Sequence, residues 1–275
     1  YEILIGLVGS EMCIRDSREA DDKGFIPVNT IAELKMIDLD DASRGRKYLQ
    51  QGNIDLLDAE WTPISKLEGI YDGGNFTVAR LRVSLGNGNA GLFAANGGTI
   101  RNVVIASASA LRGQWHAGMV CGENTGTIER CTNRASVTDG GSNTLGGICG
   151  YNNNGTISEC LNTGTLTIDA ADDAIHCDLV LNIGADGTDG PTIDITNCCE
   201  GLEGAELNVC SGDITINASD DCLNAANSDL TDYDFTMTIS GGAIDAYTSG
   251  GDGFDSNGDL TITGGTVVVW TDNTA

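Results

Sequence analysis

The amino-acid sequence predicts an all-β protein, a right-handed parallel β-helix or β-solenoid built as one stack or as two abutting solenoid segments. The 275 residues include 38 Gly but only 3 Pro, and aromatic residues make up 5%. Short apolar bursts alternate with Gly, Asn and Asp along most of the chain, which is typical of many short strands joined by tight turns. Repeats at nearly fixed spacing indicate that these strands stack in successive coils. Residues 30–36 and 40–50 are the only helix candidates.

The first 17 residues, YEILIGLVGSEMCIRDS, differ in composition from the rest of the chain. Their end resembles translated sequencing-adapter read-through, as found at the ends of metagenomic contigs, and we exclude them from the fold. A remnant of a signal peptide is the alternative. The chain stops soon after the apolar run TVVVW, so we expect a fragment of a larger protein. No stretch is long enough to cross a membrane.

Three segments in the middle of the chain repeat a Gly-flanked apolar burst, an Asn-rich turn and a second short strand. They read GLFAANGGTIRNV, GMVCGENTGTIERC and GGICGYNNNGTISEC, and their central Ile residues lie 28 and 29 positions apart. One unit cannot bury its apolar face alone, whereas stacked units can. The alignment on Ile100, Ile128 and Ile157 predicts two further columns, Val103 with Cys131 and Cys160, and Asn96 with Asn124 and Asn153.

The cysteines do not form the pattern of a metal site or of a disulfide scaffold. There are ten, irregularly spaced and without a Cys-x-x-Cys motif, and the chain has only two His. This composition disfavours a zinc site. We expect stacked Cys131 and Cys160 to pack as small apolar residues, with a disulfide between them as the alternative.

The repeats resemble the GLUG motif of bacterial surface and secreted proteins, over about residues 25–165. The preceding segments GNIDLLDAEWTPI and LEGIYDGGNFTVARLRV fit the same context. The resemblance implies an architecture and a surface setting, and it says little about activity. We accordingly predict a GLUG-type solenoid domain over residues 18–165.

From residue 166 a different unit recurs, with an acid followed by a small, an apolar and a polar residue. Its four cores are Asp173-Ala-Ile-His176, Glu200-Gly-Leu-Glu203, Asp221-Cys-Leu-Asn224 and Asp252-Gly-Phe-Asp255. Alternating strands between the cores place Ile214, Ile216 or Ile262 inward. The segments SDDCLNA, GLEG and GGDGFDSNGDLTITGG resemble the carbohydrate-binding β-helix family of cellulolytic clostridia. This resemblance implies a calcium-bearing, non-catalytic sugar-binding domain over residues 166–275, here truncated.

Negative charge is concentrated in the second half of the chain. The net charge is −26, and residues 135–275 contain 23 Asp or Glu but no Lys or Arg. These carboxylates repel one another unless cations lie between them, and a solvated acidic surface is the alternative. Binding to nucleic acid or to an anionic membrane is disfavoured, because both carry negative charge.

The acids of the four cores are candidate calcium ligands. In a β-helix they stack about 5 Å apart at one corner, and Ca²⁺ takes six to eight oxygen ligands from carboxylates, amides and backbone carbonyls. The alternative is that one acid of each turn is solvated and the next caps the turn. The predicted metal ligands are Asp172, Asp173, Glu200, Asp220, Asp221, Asn224, Asp252 and Asp255.

Sugar binding usually requires exposed aromatic rings. The candidates are Trp115, Tyr151, Tyr247 and Trp270, each of which could instead be a core or cap residue. We predict no catalytic residues. A lyase needs a base such as Lys or Arg, and His176 is the only neutral-pH base in residues 135–275.

The sequence therefore predicts an extracellular or cell-surface, adhesin-like bacterial module that binds a polysaccharide or cell-wall glycan with the help of Ca²⁺. It would be non-catalytic and part of a larger surface protein. Two alternatives stay open: a polysaccharide lyase-like enzyme acting on acidic glycans, and a structural surface stalk.

Overall fold

A computed structural model describes residues 20–272 except 85, 114 and 140–143. The excluded leader, residues 1–17, lies outside the described residues. Short parallel strands stack in successive coils along nearly the whole described chain, which confirms the predicted all-β solenoid. Within the described ranges, no helix is long and apolar enough to span a membrane.

The helices form a short segment near the start of the solenoid. Helix α1 (Ile31–Lys35) has Thr30 as its N-cap residue. The Thr30 hydroxyl accepts a hydrogen bond from the Glu33 backbone N–H in a capping box. A 3-10 helix (Met36–Asp38) and helix α2 (Asp41–Arg44) follow. The second predicted helix, 40–50, is wrong beyond residue 44, because Lys47–Gln50 is a strand with alternate residues buried.

The first twenty strands build the coils up to residue 169. They are β1 (Phe25–Val28), β2 (Lys47–Gln50), β3 (Ile54–Asp55), β4 (Ile70–Asp72), β5 (Thr77–Ala79), β6 (Arg82–Ser84), β7 (Phe93–Asn96), β8 (Thr99–Arg101), β9 (Val104–Ile105), β10 (Ala110–Gly113), β11 (His116–Gly118), β12 (Cys121–Asn124), β13 (Thr127–Glu129), β14 (Thr132–Asn133), β15 (Ser136–Asp139), β16 (Thr144–Gly146), β17 (Cys149–Asn152), β18 (Thr156–Ser158), β19 (Leu161–Asn162) and β20 (Thr165–Asp169).

Ten further strands build the remaining coils, and six of them have six to nine residues. They are β21 (Ile175–Ile183), β22 (Thr192–Cys198), β23 (Leu202–Val209), β24 (Asp213–Ala218), β25 (Leu223–Ala225), β26 (Thr236–Ile239), β27 (Ala243–Thr248), β28 (Phe254–Ser256), β29 (Asp259–Ile262) and β30 (Thr266–Thr271).

One sheet joins the two predicted segments. It runs in the order β6, β10, β15, β20, β22, β24, β27 and β30. In it, Leu166 of β20 pairs in register with Val137 on one side and with Ile193 on the other. The predicted boundary at 165/166 therefore lies within a continuous stack, and the change of repeat unit does not interrupt the sheet.

The middle repeats stack as their alignment predicts. Ile128 pairs with Ile100 and with Ile157 on the neighbouring coils. Ile100 and Ile128 are fully buried, whereas Ile157 is partly exposed because its strand is at the edge of its sheet. The nine described cysteines are free thiols, so stacked Cys131 and Cys160 pack without a disulfide.

The alternation along its strand predicts an inward-pointing Ile262, like Ile214 and Ile216. The latter two are buried, but Ile262 is half exposed. Its strand, β29, lies at the edge of its sheet. The side chain therefore has a neighbouring described coil on one side only.

The Asn column differs from its prediction at the third member, which is Asn152 and not Asn153. Asn96 donates from Nδ2 to Oδ1 of Asn124 at 2.7 Å, and Asn124 donates to Asn152, not Asn153, at 2.8 Å. The turn of the third repeat contains one extra residue, and Asn154 adopts a left-handed backbone conformation with φ of 56°. An alignment on the Ile residues placed this insertion before the Asn column instead of after it.

Close contact between coils explains the Gly of the Gly-Thr-Ile cores. Thr99 N–H donates to the Gly69 carbonyl and Thr127 N–H donates to the Gly98 carbonyl, each at 2.8 Å. A Cβ on Gly98 would overlap the Gly69 carbonyl oxygen, and one on Gly126 would overlap that of Gly98. Only Gly fits where the backbones approach this closely.

Candidate functional site

The four acidic cores lie in register on successive coils. Ala174 N–H donates to the Glu200 carbonyl at 2.9 Å, and Gly201 and Cys222 donate to the Asp221 and Asp252 carbonyls at 3.0 Å. These bonds create two columns of side chains, and we use both names below. The first column is Asp173, Glu200, Asp221 and Asp252, and the second column is His176, Glu203, Asn224 and Asp255.

Asn224 links the two columns and has one unpartnered atom. Its Nδ2 donates to Glu200 Oε2 at 2.7 Å. Its Oδ1 is buried, and Asn224 as a whole is only 7% exposed. This oxygen accepts no hydrogen bond from any described residue. A buried acceptor without a donor costs about 1–3 kcal/mol. The nearby groups in the columns are mainly carboxylates, which are also acceptors, so the arrangement lacks a positive partner.

Burial and repulsion between acids raise the pKa values of three members of the first column, Asp173, Glu200 and Asp221. For Glu200 and Asp221 the main cause is burial, and the negative charges of neighbouring acids add to it. The pKa of Asp173 rises to about 6, through burial and then through its hydrogen bond and charge repulsion with Glu203. A carboxyl with a raised pKa destabilises the fold once it ionises at neutral pH.

The other predicted metal ligands are less central. Asp252 is exposed, and its backbone N–H donates to Asp221 Oδ1 at 2.6 Å. The side chains of Asp172 and Asp220 are exposed, and their backbone carbonyls accept hydrogen bonds from Cys199 N–H and the Thr248 hydroxyl. Asp255 is half-buried in the second column. Among the predicted ligands, Asn224 and Glu200 are in direct contact, and Asp221 contacts the backbone of Asp252.

Two residues absent from the predicted ligand set, His176 and Glu203, form the closest titratable contact at this site. His176 Nδ1 lies 2.5 Å from Glu203 Oε2 and 3.5 Å from Asp173 Oδ2. Burial lowers the pKa of His176, but its bonds to Glu203 and Asp178 outweigh burial and raise it overall. Both residues occupy the fourth position of the aligned cores, like Asn224 and Asp255, and this shared position is the signal that could have identified them.

Two of the predicted sugar-binding aromatics are neighbours on the outer face of the long sheet. Tyr247 of β27 and Trp270 of β30 are register partners. Trp270 is 65% exposed and Tyr247 is 36% exposed. The Tyr247 hydroxyl donates to Asp272 Oδ2 at 2.7 Å, which holds the ring in place. The pair presents apolar ring surface beside polar groups.

The other two aromatics are brought together by a histidine. The His116 ring stacks on Tyr151 with centroids 4.7 Å apart, and Trp115 meets His116 edge-on at 5.6 Å. His116 Nδ1 lies 2.7 Å from the Thr144 hydroxyl. Trp115 is 46% exposed and Tyr151 is 40% exposed. The sequence nominated both aromatics but not the histidine between them.

A cavity of about 480 Å³ lies between the cluster of Trp115, His116 and Tyr151 and the start of the two columns. The middle repeats contribute Thr144, Leu145, Gly146 and Gly150, and the following segment contributes Leu166, Ile168, Ala170 and 173–176. The Thr144 hydroxyl contacts His116, whereas Asp173 and His176 belong to the two columns. The cavity therefore extends from the neighbourhood of the aromatic cluster to the first acidic core.

Comparisons with known proteins match parts of the chain. Residues 187–275 match a family described as "Carbohydrate-binding domain-containing protein". Halomucin from Haloquadratum walsbyi is 32% identical over 140 residues, which cover 45% of this chain and 2% of halomucin. No solved structure matches the chain. The family match lies inside the predicted sugar-binding segment and includes Tyr247 and Trp270, while the likeness of residues 25–165 to GLUG repeats stays a resemblance.

Proposed function

We propose that the chain is a calcium-stabilised, non-catalytic glycan-binding module, adhesin-like and part of a larger extracellular or cell-surface protein. The single observation that carries the proposal is the exposed Tyr247–Trp270 pair. It lies within the segment that matches a carbohydrate-binding family. Aromatic faces flanked by polar groups are suited to the apolar faces of sugar rings, which carry hydroxyls at their edges.

The donor set of the two columns fits calcium. Carboxylate and amide oxygens are the ligands that Ca²⁺ prefers, and the unpartnered Oδ1 of Asn224 supplies one such oxygen in a buried position. We propose that Glu200, Asp221 and Asn224 hold the ion, with Asp252 and Asp255 from the next coil. A bound cation would neutralise carboxylates whose pKa values are raised by burial and by neighbouring acids. Calcium sites of extracellular modules have dissociation constants of about 0.1–1 mM.

The repetition of the acids favours ion binding over catalysis. A glycosidase uses one pair of carboxylates at one place, whereas here acids recur at the same position of four successive coils. The surrounding segment 135–275 also has no Lys or Arg to act as the base of a lyase. Both points support a binding role for this surface.

The test is a binding assay on the intact chain in millimolar calcium, with cellulose and polygalacturonate as probes. Tyr247→Ala and Trp270→Ala are each expected to weaken binding at least tenfold, about 1.4 kcal/mol, because exposed aromatic anchors carry much of the energy of such interfaces. The matched control is Val268→Ala on the same strand as Trp270, where Val268 is 40% exposed. This variant should bind like the wild type.

Unchanged binding in both aromatic variants would contradict the assignment of the platform. Loss of binding in Trp115→Ala and Tyr151→Ala instead would move the platform to the His116 cluster. A steady rise in ultraviolet absorbance during incubation with polygalacturonate, from an unsaturated uronate product, would contradict the non-catalytic role and favour the lyase.

A further inference from the structure

Asp173, His176 and Glu203 bring three potential ligand atoms to one point. His176 and Glu203 are register partners on β21 and β23, and Asp173 precedes His176 in the turn. The His176 Nδ1 atom and one oxygen of each carboxylate all lie within 4.8 Å of one another. Small side-chain movements would bring all three atoms to coordination distances of about 2.0–2.2 Å from a single ion. Glu203 comes from the neighbouring coil, so local sequence spacing does not reveal the complete set.

The second ring nitrogen of His176 contacts a carboxylate that is not part of this cluster. His176 Nε2 lies 3.1 Å from Asp178 Oδ1. Histidines that ligate metals usually donate their other ring N–H to a carboxylate or a carbonyl, which fixes the tautomer and the ring orientation. With Nε2–H donating to Asp178, the lone pair of Nδ1 faces Asp173 and Glu203.

No Lys or Arg from the second half of the chain can pair with Asp173 and Glu203. Residues 135–275 contain no Lys or Arg. Asp173 and Glu203 place two carboxylates against one imidazole. A divalent cation would balance the charge of these carboxylates.

The chemistry of the ligands selects the type of ion. Calcium prefers oxygen ligands only, six to eight of them. An imidazole nitrogen with two carboxylates suits a borderline ion such as Zn²⁺, which accepts three protein ligands and leaves a position open. Asp173 and His176 both line the cavity of about 480 Å³, so the open position has room for water or for an oxygen of an incoming molecule.

We propose that Asp173, His176 and Glu203 form a Zn²⁺-type binding site at the wall of this cavity, distinct from the calcium ligands centred on Asn224. The scarcity of His and the absence of Cys-x-x-Cys disfavoured a zinc site from sequence, because that reasoning concerns ligands close together in the chain. The site does not depend on glycan binding or on calcium binding.

The experiment is calorimetric titration of Zn²⁺ into the full chain in millimolar calcium, which keeps the oxygen site filled. The wild type is expected to bind one Zn²⁺ at this site. His176→Gln, Glu203→Gln and Asp173→Asn should each weaken it at least tenfold, because each removes one of three ligands while nearly conserving side-chain size. The matched control is Asp213→Asn, an exposed acid on β24, which should bind like the wild type.

Cobalt provides a spectroscopic check that also detects binding by the free cysteines. Co²⁺ at the proposed site should give weak visible bands that disappear in His176→Gln. An intense near-ultraviolet thiolate band would show that cysteines hold the ion, and would overturn the proposal. Equal Zn²⁺ affinity of the wild type and His176→Gln, or no Zn²⁺ binding by the wild type, would overturn it as well.

Discussion

Gly98→Ala is expected to lower the free energy of unfolding by about 3 kcal/mol, near the upper end for overpacking of a close contact. The new methyl group would overlap the carbonyl oxygen of Gly69 on the preceding coil. That oxygen accepts a hydrogen bond from Thr99 N–H, so the coils cannot separate there without losing a ladder bond. For a chain of this size the melting temperature should fall by about 6–12 °C.

Gly97→Ala is a control at the adjacent position. A Cβ on Gly97 would have its nearest neighbour at 3.6 Å, the flexible end of Lys66. This variant should melt within about 2 °C of the wild type, since exposed substitutions usually change stability by less than 0.5 kcal/mol. Equal melting temperatures for Gly98→Ala and Gly97→Ala would contradict the close stacking of coils on which the fold depends.

Removal of calcium with a chelator is expected to lower the melting temperature by about 5–10 °C. A ligand present at a hundred times its dissociation constant stabilises the folded state by about 2.7 kcal/mol, and each kcal/mol shifts melting by about 2–4 °C at this size. The physical reason is that the ionised columns repel one another without a cation. An unchanged melting temperature would contradict the calcium site.

Asp221→Asn should change the two calcium states in opposite directions. Asparagine keeps the acceptor for the Asp252 N–H but removes the negative charge of the carboxylate. The pKa of this carboxyl is raised by burial and by the charges of Asp220, Asp255 and Asp252. The calcium-free protein should therefore melt higher than the calcium-free wild type, while the shift produced by calcium should shrink. Asp213→Asn, on an exposed strand position, should keep the full calcium shift. A lower calcium-free melting temperature for Asp221→Asn would contradict repulsion within the column.

Sequence reasoning was most successful where the repeat itself carries the structural information. The four acidic cores differ in spacing, yet each places an acid, a small residue, an apolar residue and a polar residue in the same order. Stacked coils allow only one register for such a core, because its apolar residue must face inward. The observed pairing of Leu202 with Ile175 and with Leu223 confirms that alignment.

The same reasoning placed the Asn column incorrectly because turns tolerate insertions. Asn152 and Asn153 are identical in chemistry, and only the hydrogen bond from Asn124 distinguishes them. Similarly, residues 47–50 carry no strong signal against a helix. Their strand depends on pairing with β1, which is a contact distant in sequence.

The candidate site was predictable in composition but not in its contacts. The sequence identified Glu200, Asp221 and Asn224 as possible ligands, but it could not show that Asn224 Oδ1 lacks a donor. In the sequence analysis His176 appeared only as the neutral-pH base of residues 135–275, not as a metal ligand. Its contact with Glu203 depends on which faces of two coils coincide, and this is decided by the lengths of the intervening turns.

The measurement that tests the central claim most directly is a glycan array probed with the intact chain in millimolar calcium. The proposed function predicts binding to one or more polysaccharides, with the signal lost in a Tyr247→Ala, Trp270→Ala double variant. An array without any bound glycan would contradict the glycan-binding role and favour a structural stalk.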